Sequence, residues 1–485
     1  MANSKPEKWA TSGLDLLLDL GDRASRGLRA AVEDGLREAI RSGRLPRGMR
    51  LPSTRGLARD LGISRGTVLQ AYEQLVAEGW LQGRRGSSTI VSAEAEAEHR
   101  STAIREPPPV LWRYDLRPGR PDSGSFPRSE WLWALRRVLA TAPDAAFGYG
   151  SPQGQVPLRV ELAGYLSRAR GLRVSPESVV ITAGFTQGLG LVARSLAAGG
   201  VTAIAMEEPG MSLHRSIVRA AGLEVILTPV DGDGMLVEAL GRSPKAGGAV
   251  LTPNRQHPTG AVLSAARRSQ LLTWARDEGA VIVEDDYDGE FRYQSHPISP
   301  LQGLDPALVV YAGTASKTLA PGVRLGWLVV PEPLRQDVVR EKGMADWQSS
   351  TLEQLAFAEL LRTGAYDRHV RRMRLRYRHR RDILVGALAE AFPHLQVRGR
   401  EAGLNVLIPL PDAASESAAL AAARVAGVGL EGLVESDLYE RQGPAGLIIG
   451  YAAAAEHSFA GAVAALVSAL ASTSIPLVES AERES

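Results

Sequence analysis

Cysteine is absent from the 485-residue chain, which excludes disulfide bridges, thiolate metal sites and cysteine nucleophiles. The eight histidines show no HExxH motif or other paired ligand spacing, so no metal is expected. There is no run of about 18 apolar residues that could span a membrane, and the amino terminus has no signal-peptide pattern. These absences predict a metal-free cytoplasmic protein.

Lysine is missing from residues 22–91, where thirteen arginines face seven acidic residues. This surplus of six positive charges contrasts with a formal net charge of +2 for the whole chain. A small basic segment on a mildly acidic remainder is typical of a nucleic-acid-binding module joined to a second domain. Residues 92–113 are rich in Glu, Ala and Pro and have few apolar side chains, which predicts a linker.

The basic segment has the pattern of helix, glycine turn, helix and two-strand wing. An amphipathic helix is predicted over Gly27–Ile40, and Ser53 and Ser64 are predicted N-caps of the two helices that follow. Gly62 supplies the turn between those two helices. In such a unit the second helix enters the major groove of DNA with its amino terminus first.

Three motifs of this segment resemble the winged helix of the GntR superfamily: Leu51-Pro-Ser-Thr-Arg55, Ser64-Arg-Gly-Thr67 and the Gly-Trp-Leu wing. The resemblance implies DNA contacts by Arg55, Ser64, Arg65, Thr67 and, in the wing, Gly86. Arg84 and Arg85 at the wing tip can reach phosphate or the minor groove. The alternative is that Arg55 and Arg65 belong to a solvated face.

From Tyr114 onward, helical patterns alternate with short runs rich in β-branched residues. The predicted strands are residues 179–182, 201–206, 224–227, 249–252, 280–284, 308–311 and 326–330. This alternation predicts βαβ units and a mostly parallel sheet, with the ligand site at the carboxyl ends of the strands.

Lys317 lies in a turn of small residues between two of these strands, and Arg324 follows seven residues later. A lysine with Ser, Thr and Gly neighbours is suited to a Schiff base, because its amine must be partly desolvated and close to an aldehyde. The alternative is an ordinary surface lysine in a loop.

Two further motifs follow predicted strands. Glu284-Asp-Asp-Tyr287 places an acid where it can keep a pyridine nitrogen protonated, and a tyrosine where it can bind the ring's phenolic oxygen. Thr182-Ala-Gly-Phe-Thr-Gln187 precedes a helix whose first amides can hold a phosphate. The alternatives are a helix N-cap cluster for the first motif and an ordinary turn for the second.

Phosphate cradle, acid, tyrosine, lysine and arginine, in this chain order, resemble fold-type I pyridoxal-phosphate enzymes of the class I aminotransferase group. The motifs Asp115–Asp122, Tyr149–Gly154 and Thr252–Gly260 also match. The resemblance implies that Lys317 forms the Schiff base, while Asp285 faces the pyridine nitrogen and Tyr287 the ring hydroxyl. It further implies phosphate contacts from Gly184, Phe185, Thr186 and Arg324, and from Tyr149 of a neighbouring subunit.

A GntR-type winged helix joined by a linker to such a body resembles the MocR/GabR family of transcription regulators. The resemblance implies an N-terminal winged helix-turn-helix plus an α/β fold-type I aminotransferase-like domain that binds pyridoxal phosphate. The expected limits are 22–91 for the winged helix, 92–113 for the linker, 114–472 for the effector domain and 473–485 for a frayed tail. Expected partners are operator DNA, pyridoxal phosphate or an amine effector, and a second copy in a head-to-tail homodimer.

Three positions depart from the aminotransferase pattern. Ile448 stands where an arginine usually grips the substrate carboxylate. Met211 replaces an aromatic residue that stacks on the pyridine ring, although methionine can still cover a ring face. His257 stands near a common asparagine position and is either a ring or ligand contact or a loop residue.

The missing carboxylate arginine favours a sensor over an enzyme. The leading hypothesis is a regulator whose effector domain senses pyridoxal phosphate, or its amine adduct, and thereby controls operator binding, with vitamin B6 genes as candidate targets. One alternative is an active aminotransferase with a DNA-binding appendage. The other is a repressor whose body is only a dimerisation scaffold.

Overall fold

The computed structural model describes residues 27–83, 89–92, 112–242, 246–293, 299–399, 401–441 and 443–473. It divides into two compact units, residues 1–110 and 111–485. The predicted DNA-contacting residues Arg84, Arg85 and Gly86 lie outside the described residues. So do residues 93–111 of the predicted linker and residues 474–485 of the predicted tail.

The described residues of the first unit form three helices and a two-stranded antiparallel ribbon: α1 (Leu28–Arg41), α2 (Thr54–Asp60), α3 (Arg65–Ala77), β1 (Leu81–Gln82) and β2 (Ile90–Val91). The Ser53 hydroxyl accepts the Gly56 amide at 3.1 Å, and the Ser64 hydroxyl accepts the Thr67 amide at 3.1 Å. Both predicted N-caps are therefore confirmed.

Apolar side chains spaced at helical intervals form the core of this unit. Its buried members are Val32, Leu36 and Ile40 of α1, Leu57 of α2, and Val68, Tyr72 and Leu75 of α3. Arg37 of α1 donates two hydrogen bonds to the Glu78 carboxylate at the end of α3, at 2.8 and 2.9 Å. The core and this bidentate pair together fix α3 against α1.

The helices of the second unit are α4 (Arg128–Thr141), α5 (Val156–Arg170), α6 (Phe185–Ala198), α7 (Ser212–Ala220), α8 (Ala265–Glu278), α9 (Leu301–Leu304), α10 (Glu332–Asp346), α11 (Thr351–Arg362), α12 (Ala365–Ala391), α13 (Ala413–Val425) and α14 (Phe459–Ala471). Within the described ranges, none of the helices has the length and apolar character needed to cross a membrane.

The strands of this unit are β3 (Tyr114–Asp115), β4 (Val179–Thr182), β5 (Ala203–Glu208), β6 (Glu224–Asp231), β7 (Gly234–Met235), β8 (Gly248–Leu251), β9 (Val281–Asp285), β10 (Val309–Thr314), β11 (Gly326–Val329), β12 (Asn405–Leu410), β13 (Val428–Gly429), β14 (Glu431–Gly432) and β15 (Ala445–Gly450). Each of the seven predicted strands overlaps one of them.

The main sheet has eight strands in the order β4-β11-β10-β9-β8-β5-β6-β7. Strands β10, β9, β8, β5 and β6 are parallel, while β11 is antiparallel to both of its neighbours. The mostly parallel sheet is therefore confirmed. Because β11 reverses direction, the turn carrying Lys317 and Arg324 lies at the same sheet edge as the carboxyl ends of β4 and β9.

A smaller antiparallel sheet, β12-β15-β14, packs with α12, α13 and α14 around a second apolar core. The short strand β3 pairs with β13 beside this core, so the chain enters the unit next to the smaller sheet. The segment after β3 then leads to Gly119, which contacts Lys317 of the main sheet. The two sheets therefore both lie close to the predicted site.

Candidate functional site

The loops at the carboxyl ends of the parallel strands surround a cavity of about 430 Å³. The size is typical of a site for a small organic ligand. The cavity is lined by nine of the ten residues predicted to contact the cofactor: Gly184, Phe185, Thr186, Met211, His257, Asp285, Tyr287, Lys317 and Arg324. The tenth, Tyr149, does not line this cavity and is 92% exposed.

The Lys317 side chain is half-buried and donates a hydrogen bond from Nζ to the Gly119 carbonyl at 2.6 Å. Burial lowers the pKa of its ammonium group, against the opposing charges of Asp285 and Asp288. A lower pKa increases the fraction of neutral amine, which is the form that attacks an aldehyde. The environment of Lys317 therefore suits the predicted Schiff base.

Asp285 ends β9 and is buried at the cavity wall, 8% exposed. Its carboxylate accepts no hydrogen bond from any described residue. Burial, followed by the neighbouring Asp286 charge, raises its pKa well above the ordinary value, and Lys317 opposes that shift. A buried acid without a donor is costly, and a cationic ligand group would relieve this cost.

The adjacent carboxylate, Asp286, differs from Asp285 because it is surrounded by hydrogen-bond donors. It accepts hydrogen bonds from Tyr311 at 2.7 Å, from Asn254 at 2.9 Å and from Arg170 Nε at 3.0 Å. Burial opposes its ionisation, yet the charges of Arg170 and Arg292, with the hydrogen bonds from Arg170 and Asn254, lower its pKa. Asp286 is therefore part of the packed core beneath the site, and Asp285 alone of the two lines the cavity.

Tyr287 reaches the cavity with its hydroxyl held from behind by Arg255, whose Nη1 donates at 3.2 Å. The same guanidinium contacts Asp288 and Asn405 Oδ1, each at 3.2 Å. Since the Tyr287 oxygen already accepts from Arg255, its own proton is free to be donated to a ligand.

The turn before α6 approaches Arg324 closely. Gly184 has φ +97°, and a Cβ on it would lie 3.5 Å from both terminal nitrogens of Arg324. On its other side, Gly326 is packed so that an added Cβ would lie 2.8 Å from Gly184 Cα. The first amides of α6, with Phe185 and Thr186, and the Arg324 guanidinium thus form an anion-binding cradle.

The rest of the cavity wall contains two predicted residues, His257 and Met211, and a histidine that was not predicted. His257 lies with its ring edge-on to Tyr287, 6.2 Å between centroids, and burial lowers its pKa to about 3. His214, which sequence reasoning missed, packs edge-on against Phe185 at 4.9 Å, and burial lowers its pKa to about 4. Met211 lines the cavity and is partly exposed. Both imidazoles are neutral at pH 7.

Ile448 is fully buried on β15 with Leu407, Leu433 and Leu438, and it does not line the cavity. Glu207, a polar residue that was not predicted from the sequence, does line the cavity. Glu207 accepts from the Thr252 amide and hydroxyl at 2.9 and 2.7 Å, and burial raises its pKa to about 7. The one available signal was the position of Glu207 at a strand end.

The four described DNA-contact candidates fall into two pairs according to their hydrogen bonds. Arg55 and Arg65 are exposed and form no hydrogen bond or ion pair with a described residue. The Ser64 hydroxyl caps α3 and lies 2.8 Å from the Thr67 hydroxyl. The guanidinium groups of Arg55, in the first turn of α2, and of Arg65, at the amino terminus of the predicted recognition helix, therefore have no described partner that would compete with phosphate.

Two family models match the chain, each over one of its units. Residues 28–91 match "Bacterial regulatory proteins, gntR family", and residues 119–443 match "Aminotransferase class I and II". The second match alone covers more than half of the chain. The chain belongs to the MocR/GabR family of GntR-type transcription regulators.

Similar proteins agree with this membership. The pyridoxine biosynthesis transcriptional regulator PdxR of Corynebacterium glutamicum is 35% identical over 81% of this chain and 86% of its own length. The probable rhizopine catabolism regulatory protein MocR of Rhizobium meliloti is 32% identical over 90% of this chain and 92% of its own. An archaeal alanine:glyoxylate aminotransferase shares the fold, with a TM-score of 0.67 and 27% identity over 74% of this chain and 91% of its own.

This MocR/GabR family member has an aminotransferase-like domain that binds pyridoxal phosphate, and the described site fits that cofactor. The donor-free Asp285 suits a protonated pyridine nitrogen, and the cradle at Gly184 and Arg324 suits a phosphate. When bound, the cofactor supplies an aldehyde that reacts with amines and a ring that accepts electrons. The amino-terminal unit is the DNA-binding part of the regulator.

Proposed function

We propose that pyridoxal phosphate, or its adduct with an amine, is the signal this regulator reads, and that occupancy of the cavity changes affinity for operator DNA. The buried carboxyl group of Asp285, which accepts no hydrogen bond from a described residue, carries the proposal, because a cationic ligand group would relieve the cost of its burial. A ligand can shift DNA binding only if it prefers one state of the protein.

Within the predicted effector domain, residues 114–472, we propose the roles that the family resemblance implies for the residues lining the cavity. The amine of Lys317 would bind the cofactor's aldehyde carbon, Asp285 would hold the ring nitrogen and Tyr287 the ring oxygen. Gly184, Phe185, Thr186 and Arg324 would bind the phosphate, while Met211 and His257 would cover the ring; all nine residues line the cavity. Within the predicted winged helix, residues 22–91, the DNA contacts are Arg55, Ser64, Arg65 and Thr67, with Arg84, Arg85 and Gly86 in the wing.

We further propose a head-to-tail homodimer in which Tyr149 reaches the partner's phosphate site. Tyr149 is 92% exposed and packs edge-on against the exposed Trp347, with 6.4 Å between the ring centroids. Other exposed apolar side chains lie on α4, α5 and the segment between them: Trp133, Leu139, Phe147 and Val156. Tyr and Trp are enriched at protein interfaces, so the exposed aromatic pair supports this assembly. A monomeric mass in sedimentation at micromolar concentration would contradict this assembly.

The proposed targets are genes of vitamin B6 metabolism, because one relative is named a pyridoxine biosynthesis regulator. We infer sensing rather than turnover, since Ile448 provides no cation for a substrate carboxylate and is packed away from the cavity. Keto-acid production from an amino donor would favour the aminotransferase alternative. The cytoplasmic location stays a prediction.

Replacing Lys317 with alanine tests the sensing proposal. DNA captured from sheared genomic fragments by the wild-type protein serves as the probe, with and without pyridoxal phosphate. We expect Lys317→Ala to bind this DNA within about twofold of wild type, since an effector-site change leaves the DNA contacts intact, and to lose the cofactor response. Lys317→Arg keeps the charge without the reactive amine and should behave like the alanine variant.

Two outcomes would contradict the sensing proposal. One is an unchanged cofactor response in both Lys317 variants, since the Schiff-base lysine would then be irrelevant to the signal. The other is a wild-type protein whose DNA affinity does not depend on cofactor, although its visible absorbance shows that cofactor is bound. The second result would favour the scaffold alternative.

A further inference from the structure

Helix α12 is the most basic element of the second unit. Its 27 residues contain eight arginines and two histidines but only three acidic residues. The helix spans about 40 Å at 1.5 Å per residue. The chain as a whole has a net charge of only +2, so the positive charge of α12 is a local concentration and not a general property of the surface.

Part of this charge has a structural use. Arg380 is 1% exposed and donates to the Ala452 carbonyl at 2.6 Å and to Glu456 at 2.9 Å. Arg376 forms ion pairs with Asp122 and Glu456, both at 3.3 Å. These two arginines point inward and join α12 to the two segments that contain their partners.

The arginines on the outward side of α12 do not join the helix to other described segments through ion pairs. We call its exposed cations, Arg368, Arg371, Arg372, Arg374, Arg378 and His379, the α12 basic face. Three of these arginines each make one hydrogen bond: Arg368 to the Thr363 backbone carbonyl, Arg372 to the His369 ring and Arg374 to the Glu290 backbone carbonyl. None of the three is paired with a carboxylate of a described residue. Arg371 and Arg378 form no hydrogen bond or ion pair with any described residue.

The geometry of the two unpaired arginines is regular. Arg371 and Arg378 are two helical turns apart, so they project from the same side with about 10 Å between their Cα atoms. Arg372 of the same face also lines a surface groove of about 420 Å³, together with Arg128, Glu130 and the ion-paired Arg376. One member of the α12 basic face therefore borders a concave surface.

We propose that the α12 basic face contacts the phosphate backbone of the DNA that the winged helix binds. Guanidinium groups are weakly hydrated and match phosphate oxygens in bidentate geometry, which makes unpaired arginines suited to this polyanion. Folding does not explain the face, because its two central arginines have no described partner. Duplex DNA is the polyanion that this class of regulator binds, and the inference rests on that function.

Salt dependence distinguishes a phosphate contact from a solvated face. Each phosphate contact contributes about 0.9 to the slope of log affinity against log salt. The double variant Arg371→Gln/Arg378→Gln should therefore lower the slope by about 2. Between 50 and 200 mM salt, wild type should lose about tenfold more affinity than this variant. The probe is a duplex recovered from sheared genomic DNA, with a scrambled duplex of equal length beside it.

A matched control removes two charges elsewhere on the same unit. Arg276 and Arg340 are exposed and are paired with Asp305 and Asp337 at 2.9 and 2.8 Å. The variant Arg276→Gln/Arg340→Gln should keep the wild-type slope, because these guanidinium groups are already paired with carboxylates and surface pairs of this kind contribute little to folding. Cofactor absorbance and thermal midpoint should be unchanged in both variants, which shows that each is folded.

Equal slopes for wild type and both double variants would overturn the proposal. If those slopes are equal but transcription by RNA polymerase falls only in Arg371→Gln/Arg378→Gln, the face contacts an acidic protein and not DNA. A smaller salt slope of Arg371→Gln/Arg378→Gln on both the recovered and the scrambled duplex supports a backbone contact, because phosphate contacts do not depend on the base sequence. A wild-type protein that recovers no DNA would instead refute the proposed regulator function itself.

Discussion

Replacing Asp285 or Asp286 with asparagine should have opposite effects on the folding stability of the cofactor-free protein, although the two residues are adjacent. Asp286 accepts hydrogen bonds from Tyr311, Asn254 and Arg170, and the Arg170 and Asp286 side chains are 6% and 1% exposed. Asp286→Asn leaves the buried Arg170 charge without its counter-ion. Breaking such a pair costs about 3–5 kcal/mol of folding free energy.

Asp285→Asn removes a charge that has no donor to lose. We therefore expect the cofactor-free variant to be as stable as wild type or more stable, by about 1–2 kcal/mol, which is typical of relieving a poorly satisfied buried polar group. Its cofactor affinity should fall because the ring nitrogen loses its anionic partner. Loss of one partner from a buried charge pair costs about 2–5 kcal/mol, or roughly 30- to 4,000-fold in affinity.

The two variants should also differ in pH dependence. Burial raises the pKa of Asp285, so its ionisation costs stability as pH rises from the unfolded value of about 3.9 through the folded value. The advantage of Asp285→Asn should therefore grow with pH. The donors around Asp286 lower its pKa despite burial, so its contribution is present above about pH 3.9 and is lost in acid. The deficit of Asp286→Asn should shrink as pH falls.

Thermal unfolding of the cofactor-free proteins between pH 4 and 8, with cofactor titrations followed by visible absorbance at pH 7.5, measures both effects. For a domain of this size, 3–5 kcal/mol corresponds to a midpoint shift of about 3–10 °C. The reasoning is refuted if Asp285→Asn destabilises the cofactor-free protein as much as Asp286→Asn does. It is also refuted if Asp285→Asn binds cofactor as tightly as wild type.

Two further predictions concern the cradle and the cavity wall. Gly184→Ala adds a Cβ at φ +97° and 3.5 Å from the Arg324 guanidinium, so we expect about tenfold weaker cofactor binding from about 1–2 kcal/mol of strain. Gly164→Ala in α5, where an added Cβ meets no atom within 4 Å, is its control and should bind normally. Burial lowers the pKa of His214 to about 4 and of His257 to about 3, so stability should be full above about pH 6.5 and fall towards pH 4. Replacing both with phenylalanine should flatten that acid limb of the thermal-midpoint profile, and an unchanged profile would contradict their buried, neutral state.

The sequence was sufficient to predict those parts of the site whose chemistry is local in the chain. The lysine turn, the acidic strand end and the glycine turn before α6 each combine a strand, a turn and a reactive residue within about ten positions. Parallel strands bring their carboxyl ends to one edge, so three local motifs were enough to predict one cavity. The DNA-binding helices were predictable for the same reason, since Ser53 and Ser64 cap them locally.

Contacts between distant residues could not be predicted in this way. Lys317 donates to Gly119, which is 198 residues away, and Arg255 contacts Asn405 across 150 residues. No periodicity or turn pattern specifies such pairs, because they depend on how the smaller sheet packs against the main one. His214 and Glu207 were missed for a related reason, since each occupies an ordinary helix or strand position and reaches the cavity only through tertiary packing.

The surroundings of Arg255 show how strongly a distant contact can constrain the chain. Gly403 has φ +79°, and a Cβ there would lie 2.5 Å from both Arg255 Cζ and Asp288 Oδ2, so no larger residue fits. Arg255 Nε and Asn405 Nδ2 are buried and find no partner among the described residues. A cluster that breaks local rules and leaves polar atoms unsatisfied is expected where function, and not stability, selects the arrangement. Here that arrangement holds the Tyr287 hydroxyl at the cavity wall, so the feature least predictable from the sequence lies directly behind a predicted cofactor contact.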